Sequence, residues 1–111
     1  MREIEIVIRP YQSEVDDPYI YSTWRKHSWY SSPIKINVPK LQFFKEKTQE
    51  IKKILFEGYV RTACFKNDPS ALMGIVVVYQ GKIACLFVKK DFLKEGIDDL
   101  LKKAVKDQIN G

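Results

Sequence analysis

Little in this sequence could staple a fold together from outside its core. Only two cysteines, one histidine and five glycines occur among its 111 residues. No uninterrupted apolar run approaches the roughly 20 residues that span a bilayer, so a membrane-crossing helix is not expected. The amino terminus, Met-Arg-Glu-Ile-Glu, has acidic residues and alternation where a signal peptide needs an apolar stretch, and a cytoplasmic protein is expected. Cys64 and Cys85 each lie inside an apolar, strand-like run. With the run Leu72 to Tyr79 paired between them they would be about 9.5 Å apart, beyond the roughly 7 Å that a disulfide tolerates. Free buried thiols are therefore expected, and no metal. Internal repeats, low-complexity tracts and linkers are also missing. The expectation is one domain over residues 1–111, long enough to build a core without disulfides.

What is present reads as globular and soluble, with 45% hydrophobic and 30% charged residues. The net charge of +5 comes from 19 Lys and Arg against 14 Asp and Glu. That balance admits an anionic partner such as nucleic acid or a phosphorylated cofactor. The lysines mostly alternate with acids, as on a solvated surface, so nucleic acid is the less favoured partner.

Periodicity predicts the elements. Arg2 to Arg9 alternates, with Ile4, Ile6 and Ile8 on one face, and ends at Pro10, as a half-buried strand does. Asp16-Asp17-Pro18 has the form of a helix start, with Ile20, Trp24 and His27 or Ser28 on one face. The serines and proline of Ser28 to Ile36 imply that this helix is short. A longer helix is expected from Pro39 to Phe56, with the stripe Leu41, Phe44, Thr48, Ile51 and Leu55, closed by Gly58. Strands are expected over Tyr59 to Lys66, Ala71 to Gln80 and Lys82 to Val88, with turns at Asn67-Asp68-Pro69-Ser70 and Gln80-Gly81. The last two strands are apolar on both faces, which predicts places in the middle of the sheet. A final helix runs from Ile97 to about Ile109, with Leu100, Leu101, Ala104 and Val105 inward. The expected order is β-α-α-β-β-β-α.

The stretch "FVKKDFLKEGIDDLL", following a strand hairpin and two helices, resembles the acyl-CoA-binding core of the GCN5-related N-acetyltransferase (GNAT) superfamily. The helix "STWRKHS" and the strand pair in "NDPSALMGIVVVY" are similar to small phage and bacterial members. The resemblance covers almost the whole chain and stops at the last helix, because the later strands and helix of the family have no counterpart before Gly111. It implies an α/β (α+β) fold, with a mostly antiparallel sheet flanked by helices, and an N-acetyltransferase-like function using acetyl-CoA. In the family the turn reads Arg/Gln-x-x-Gly-x-Gly/Ala, and its backbone N–H groups hold the pyrophosphate. Gly96 matches the central glycine and Ile97 the next apolar position, while Leu93 and Asp98 depart from the pattern. The implied cofactor-binding residues are Phe87, Val88, Lys89, Lys94, Glu95, Gly96, Ile97 and Asp98, with an oxyanion-binding N–H near Phe87 and Val88.

No catalytic residue is assigned. No carboxylate lies on Ile83 to Val88 to serve as a base, and the helix carrying the family's tyrosine acid is missing. His27, beside Trp24 and Trp29, reads first as a member of an aromatic cluster. Tyr11, Tyr19, Tyr21, Trp24, Trp29 and Tyr30, interleaved with Arg25 and Lys26, suit a core or a protein interface, and less readily base stacking. The strand Lys82 to Val88 would have lost its outer neighbour, and an uncovered apolar edge invites a second copy or another protein. A non-catalytic interaction protein of the same fold is thus the alternative reading.

Overall fold

The computed structural model describes residues 5–31 and 39–109. The expected strand residues Arg2 to Ile4, the segment 32–36 and the terminus at Gly111 lie outside them. The chain runs β1 (Ile6–Pro10), α1 (Ser13–Ser31), α2 (Lys40–Glu57), β2 (Tyr59–Phe65), β3 (Asp68–Tyr79), β4 (Lys82–Val88) and α3 (Ile97–Val105). Single 3-10 turns follow β4 at Lys90–Phe92 and α3 at Lys106–Gln108. The four strands form one antiparallel sheet in the order β1-β2-β3-β4.

Helices cover both faces. On one, Ile20 and Trp24 of α1 and Ile51 and Leu55 of α2 pack with Val60, Ile75, Val77 and Cys85. On the other, Ile97, Leu101 and Val105 of α3 pack with Ala63, Met73, Val76 and Val78. The spacing of four along α3 puts these three side chains on a single face. Leu100 and Ala104, expected inward, face out, Leu100 at 40% exposure.

α1 departs most from expectation. It begins at Ser13 and continues for 19 residues, where a short helix starting near Asp16 was expected. Gln12 precedes it, its carbonyl accepting from the N–H groups of Val15 and Asp16. The Asp16 carboxylate reaches back to the Gln12 N–H at 2.9 Å, which secures the first turn ahead of Pro18. Pro18 sits on the exposed side of the helix, where water can hydrate the carbonyl left without a donor.

Asp16 is accordingly no surface cap. It is fully buried and takes a two-pronged contact from Arg9, at 2.6 and 2.9 Å, and a hydrogen bond from the Thr62 hydroxyl at 3.0 Å. Arg9, whose alternation placed it on the polar face of β1, is buried to 8% exposure by this pair. Its Nε also donates to the Pro69 carbonyl. The guanidinium pKa is raised, first by the hydrogen bond to Asp16. One cluster thus ties β1, α1, β2 and the start of β3.

Other boundaries shift by small amounts. Lys66-Asn67 alone makes the β2 to β3 turn, and β3 already begins at Asp68. Both residues of the Gln80-Gly81 turn have positive φ, 53° and 76°, as a two-residue hairpin that follows the twist of its strands requires. Pro39 and Gly58 flank α2. Leu41, expected on its buried stripe, is 81% exposed, while Phe43 and Phe44 of the same helix meet the Trp29 ring of α1. β3 is central and buried, but β4 is an edge strand with only Cys85 buried, since no described strand lies beyond it. Cys64 and Cys85 are free and buried, with β3 between their strands.

Candidate functional site

The chain leaves β4 over a crowded floor. A Cβ at Gly74 would lie 2.7 Å from the Phe87 carbonyl oxygen, 3.2 Å from the Val88 Cα and 3.4 Å from Ile97 Cγ2. A bare backbone at that point lets β4 and the first residue of α3 approach β3 together.

The ladder fixes where the strand's donors point. Gly74 is paired with Val88 and Ile75 with Phe87, and the Lys89 N–H donates to the Met73 carbonyl at 2.7 Å. Donors alternate along an antiparallel strand, so the Phe87 N–H turns toward β3 and the Val88 N–H toward the open edge. Phe87 contributes its ring instead, edge-on to His27 of α1 at 5.5 Å. Cys85 lies on the same face, and burial pushes its thiol up to about 12.

After Lys89 the backbone coils, with Phe92, Leu93 and Glu95 N–H groups bonded to the carbonyls of Lys89, Lys90 and Phe92. Gly96 then takes the left-handed conformation at φ 72° and ψ 21°, breaking the path before α3 begins. A Cβ there would meet nothing within 4 Å, so the space above the turn is open. No side chain caps α3. Its first bond is from the Leu100 N–H to the Gly96 carbonyl, which leaves the N–H groups of Ile97, Asp98 and Asp99 without intrahelical acceptors.

Charge around this turn is mixed. Lys89 is exposed, with its ammonium 5.4 Å from the centroid of the Tyr19 ring. Lys90 and Lys94 are exposed as well, as are Glu95 and Asp99, while Asp98 is half-buried. The two aspartates answer the helix dipole that an anion would otherwise answer. Leu93, at the position where the family pattern carries a basic or amide residue, is 61% exposed.

The structure therefore gathers Val88, Lys89, Lys94, Glu95, Gly96, Ile97 and Asp98 into one bend, with the Phe87 ring on the α1 side. Sequence reasoning did not find Gly74, which faces this bend from the next strand, or Tyr19, which holds Lys89. The glycine inside an apolar run was the available signal for the first. For the second, nothing in one sequence relates residues seventy positions apart.

No family model matches the sequence, and no curated protein is significantly similar to it. Solved structures are similar in fold. A candidate acetyl transferase from Pyrococcus furiosus matches with a TM-score of 0.68 and 17% identity, over 93% of this chain and 73% of that one. A possible acetyltransferase from Clostridium difficile 630 matches at 0.63 and 15% identity, over 95% and 70%. A GNAT-family acetyltransferase from Staphylococcus aureus Mu50 matches at 0.57 and 14% identity, over 93% and 64%. The chain has the GNAT fold, and it spans roughly two thirds to three quarters of these proteins.

Proposed function

We propose that this chain is an N-acetyltransferase-like, cytoplasmic protein that binds acetyl-CoA at the bend between β4 and α3. The observation that carries the reading is the open left-handed turn at Gly96 beneath uncapped N–H groups of Ile97, Asp98 and Asp99. Backbone donors at a helix start suit a pyrophosphate, and Lys89 and Lys94 would add point charges beside it. The thioester supplies the acetyl group when bound. The outward Val88 N–H is the donor available to its carbonyl oxygen, where negative charge develops as an amine attacks. The acidic side chains of Glu95, Asp98 and Asp99 oppose the phosphates, so the expected affinity is modest.

Titration calorimetry with acetyl-CoA tests this. Saturable binding that Gly96→Val abolishes supports it, and no heat at millimolar ligand refutes it.

The open side of β4 favours a second reading beside the first: a partner strand, from another copy or another protein, covers this edge. An edge protected in this way could serve an interaction protein that does no chemistry. Sedimentation over a hundredfold concentration range separates the two partners, because a monomer at every concentration rules out self-association.

A further inference from the structure

A separate concavity of about 270 Å³ lies between the start of α1 and the end of α2. Tyr11, Ser13, Asp17 and Tyr21 form one side, and Lys52, Leu55 and Phe56 the other. Asp17 and Tyr21 are one turn apart on α1. Tyr19, which meets Lys89, is about 200° around the helix from Asp17, so the concavity opens away from the β4 edge.

Two opposite charges line it, and neither has an ion-pair partner among the described residues. The Asp17 carboxylate accepts the Tyr11 hydroxyl, but no cation pairs with it among the described residues. The Lys52 ammonium makes no hydrogen bond or ion pair among them either. Arg9 and Asp16, a few residues away, show how closely this chain joins such charges elsewhere. The field of Asp17 reaches the surrounding rings. The phenol pKa values of Tyr11 and Tyr21 are raised, first by burial and then by this carboxylate. Leu55 and Phe56 give the wall its apolar part, and Phe56 is 91% exposed.

We propose that this concavity binds a free α-amino acid with an apolar side chain. Asp17, beside two tyrosine rings whose faces attract cations, takes the ammonium. Lys52 takes the carboxylate, and Leu55 and Phe56 cover the side chain. The volume sits just below the range of about 300 to 1,000 Å³ typical of small-molecule sites, which suits a ligand of this size and is too small for a nucleotide. The proposal does not rest on acetyl-CoA binding.

The test is calorimetric titration of the whole chain, without coenzyme A, using L-phenylalanine, L-phenylalaninamide and N-acetyl-L-phenylalanine. Saturable millimolar binding of the free amino acid is expected, weakened about tenfold or more when either end is blocked, a loss of roughly 1.4 kcal/mol. Asp17→Asn and Lys52→Met should weaken it by a similar factor while the melting temperature is kept. No saturation with L-phenylalanine at about 20 mM, a limit corresponding to roughly 2 kcal/mol of binding, overturns the proposal. Equal binding of the N-acetyl form removes the role of Asp17 and overturns it too. Equal binding of the amide identifies a peptide amino terminus as the ligand and overturns the free amino acid. The blocked ligands need no variant, so they decide the matter even if a substitution unfolds the chain.

Discussion

The Lys89 ammonium stands over the Tyr19 ring, 5.4 Å from its centroid, and so links the end of β4 to the middle of α1. That contact holds the cation on the α1 side of the bend. Lys89→Met is expected to weaken acetyl-CoA binding several-fold and to flatten its salt dependence, since an exposed charge acts through a screened field. Tyr19→Phe keeps the ring and should leave binding unchanged. Titrations at two salt concentrations check both.

Asp98 and Asp99 make the opposite contribution. Their neutralisation in Asp98→Asn/Asp99→Asn removes two negative charges from the first turn of α3 and should tighten acetyl-CoA binding several-fold at low ionic strength. The gain should shrink as salt rises. The same change should lower helix stability slightly, by about 0.3 to 1 kcal/mol per residue, because each carboxylate favours the helix dipole. Opposite movements of affinity and urea midpoint are the readout.

Removing Asp16 leaves Arg9 buried without its counterion. Asp16→Ala should cost about 3 to 5 kcal/mol of stability in urea unfolding. Thr62→Val, which removes one neutral donor to the same carboxylate, should cost about 1 to 2 kcal/mol. If Asp16→Ala and Thr62→Val shift the midpoint equally, the ion pair is not what anchors α1 to the sheet.

Burial holds the Cys85 thiol in its neutral form up to about pH 12. A thiol titrating higher in the folded chain than in the unfolded one retains its proton longer when folded. Its contribution to stability is complete below the ordinary thiol pKa of 9.0 and declines as pH rises from there through about 12. Cys85→Ser should lose this decline, visible in urea unfolding between pH 8 and pH 10.5. Alkylation by iodoacetamide at pH 8 should also be slower than in urea by about three orders of magnitude, since only the thiolate reacts.

How much could be read in advance differs between local and distant features. The order of elements, the Gln80-Gly81 hairpin, the boundaries of α2 and the break at Gly96 all follow from neighbouring residues, and they stand as expected. The start of α1 does not follow. Asp16-Asp17-Pro18 is a sound local signal for a helix terminus, but it is outweighed by Arg9 and Thr62, which draw the Asp16 side chain inward. The apolar run of β4 pointed to the middle of the sheet, because such a run looks alike whether a strand or an open edge lies beside it, whereas the resemblance, stopping at the last helix, implied the open edge that the described strands show. At the candidate site, the bend was legible from its glycine and charges. The direction of the Val88 N–H was not, since it depends on the register against β3.

β1 is made before α1 and α2, yet its ladder partner is β2, with Ile6 opposite Phe65 and Pro10 opposite Arg61. Two helices must emerge before that pairing can form, although Asp16, the partner of the Arg9 guanidinium, is made only seven residues after it. The Pro69 acceptor of that guanidinium is made later still. A nascent chain therefore carries β1 without a mate while both helices are made, and docking of that strand should be a late, slow event in maturation.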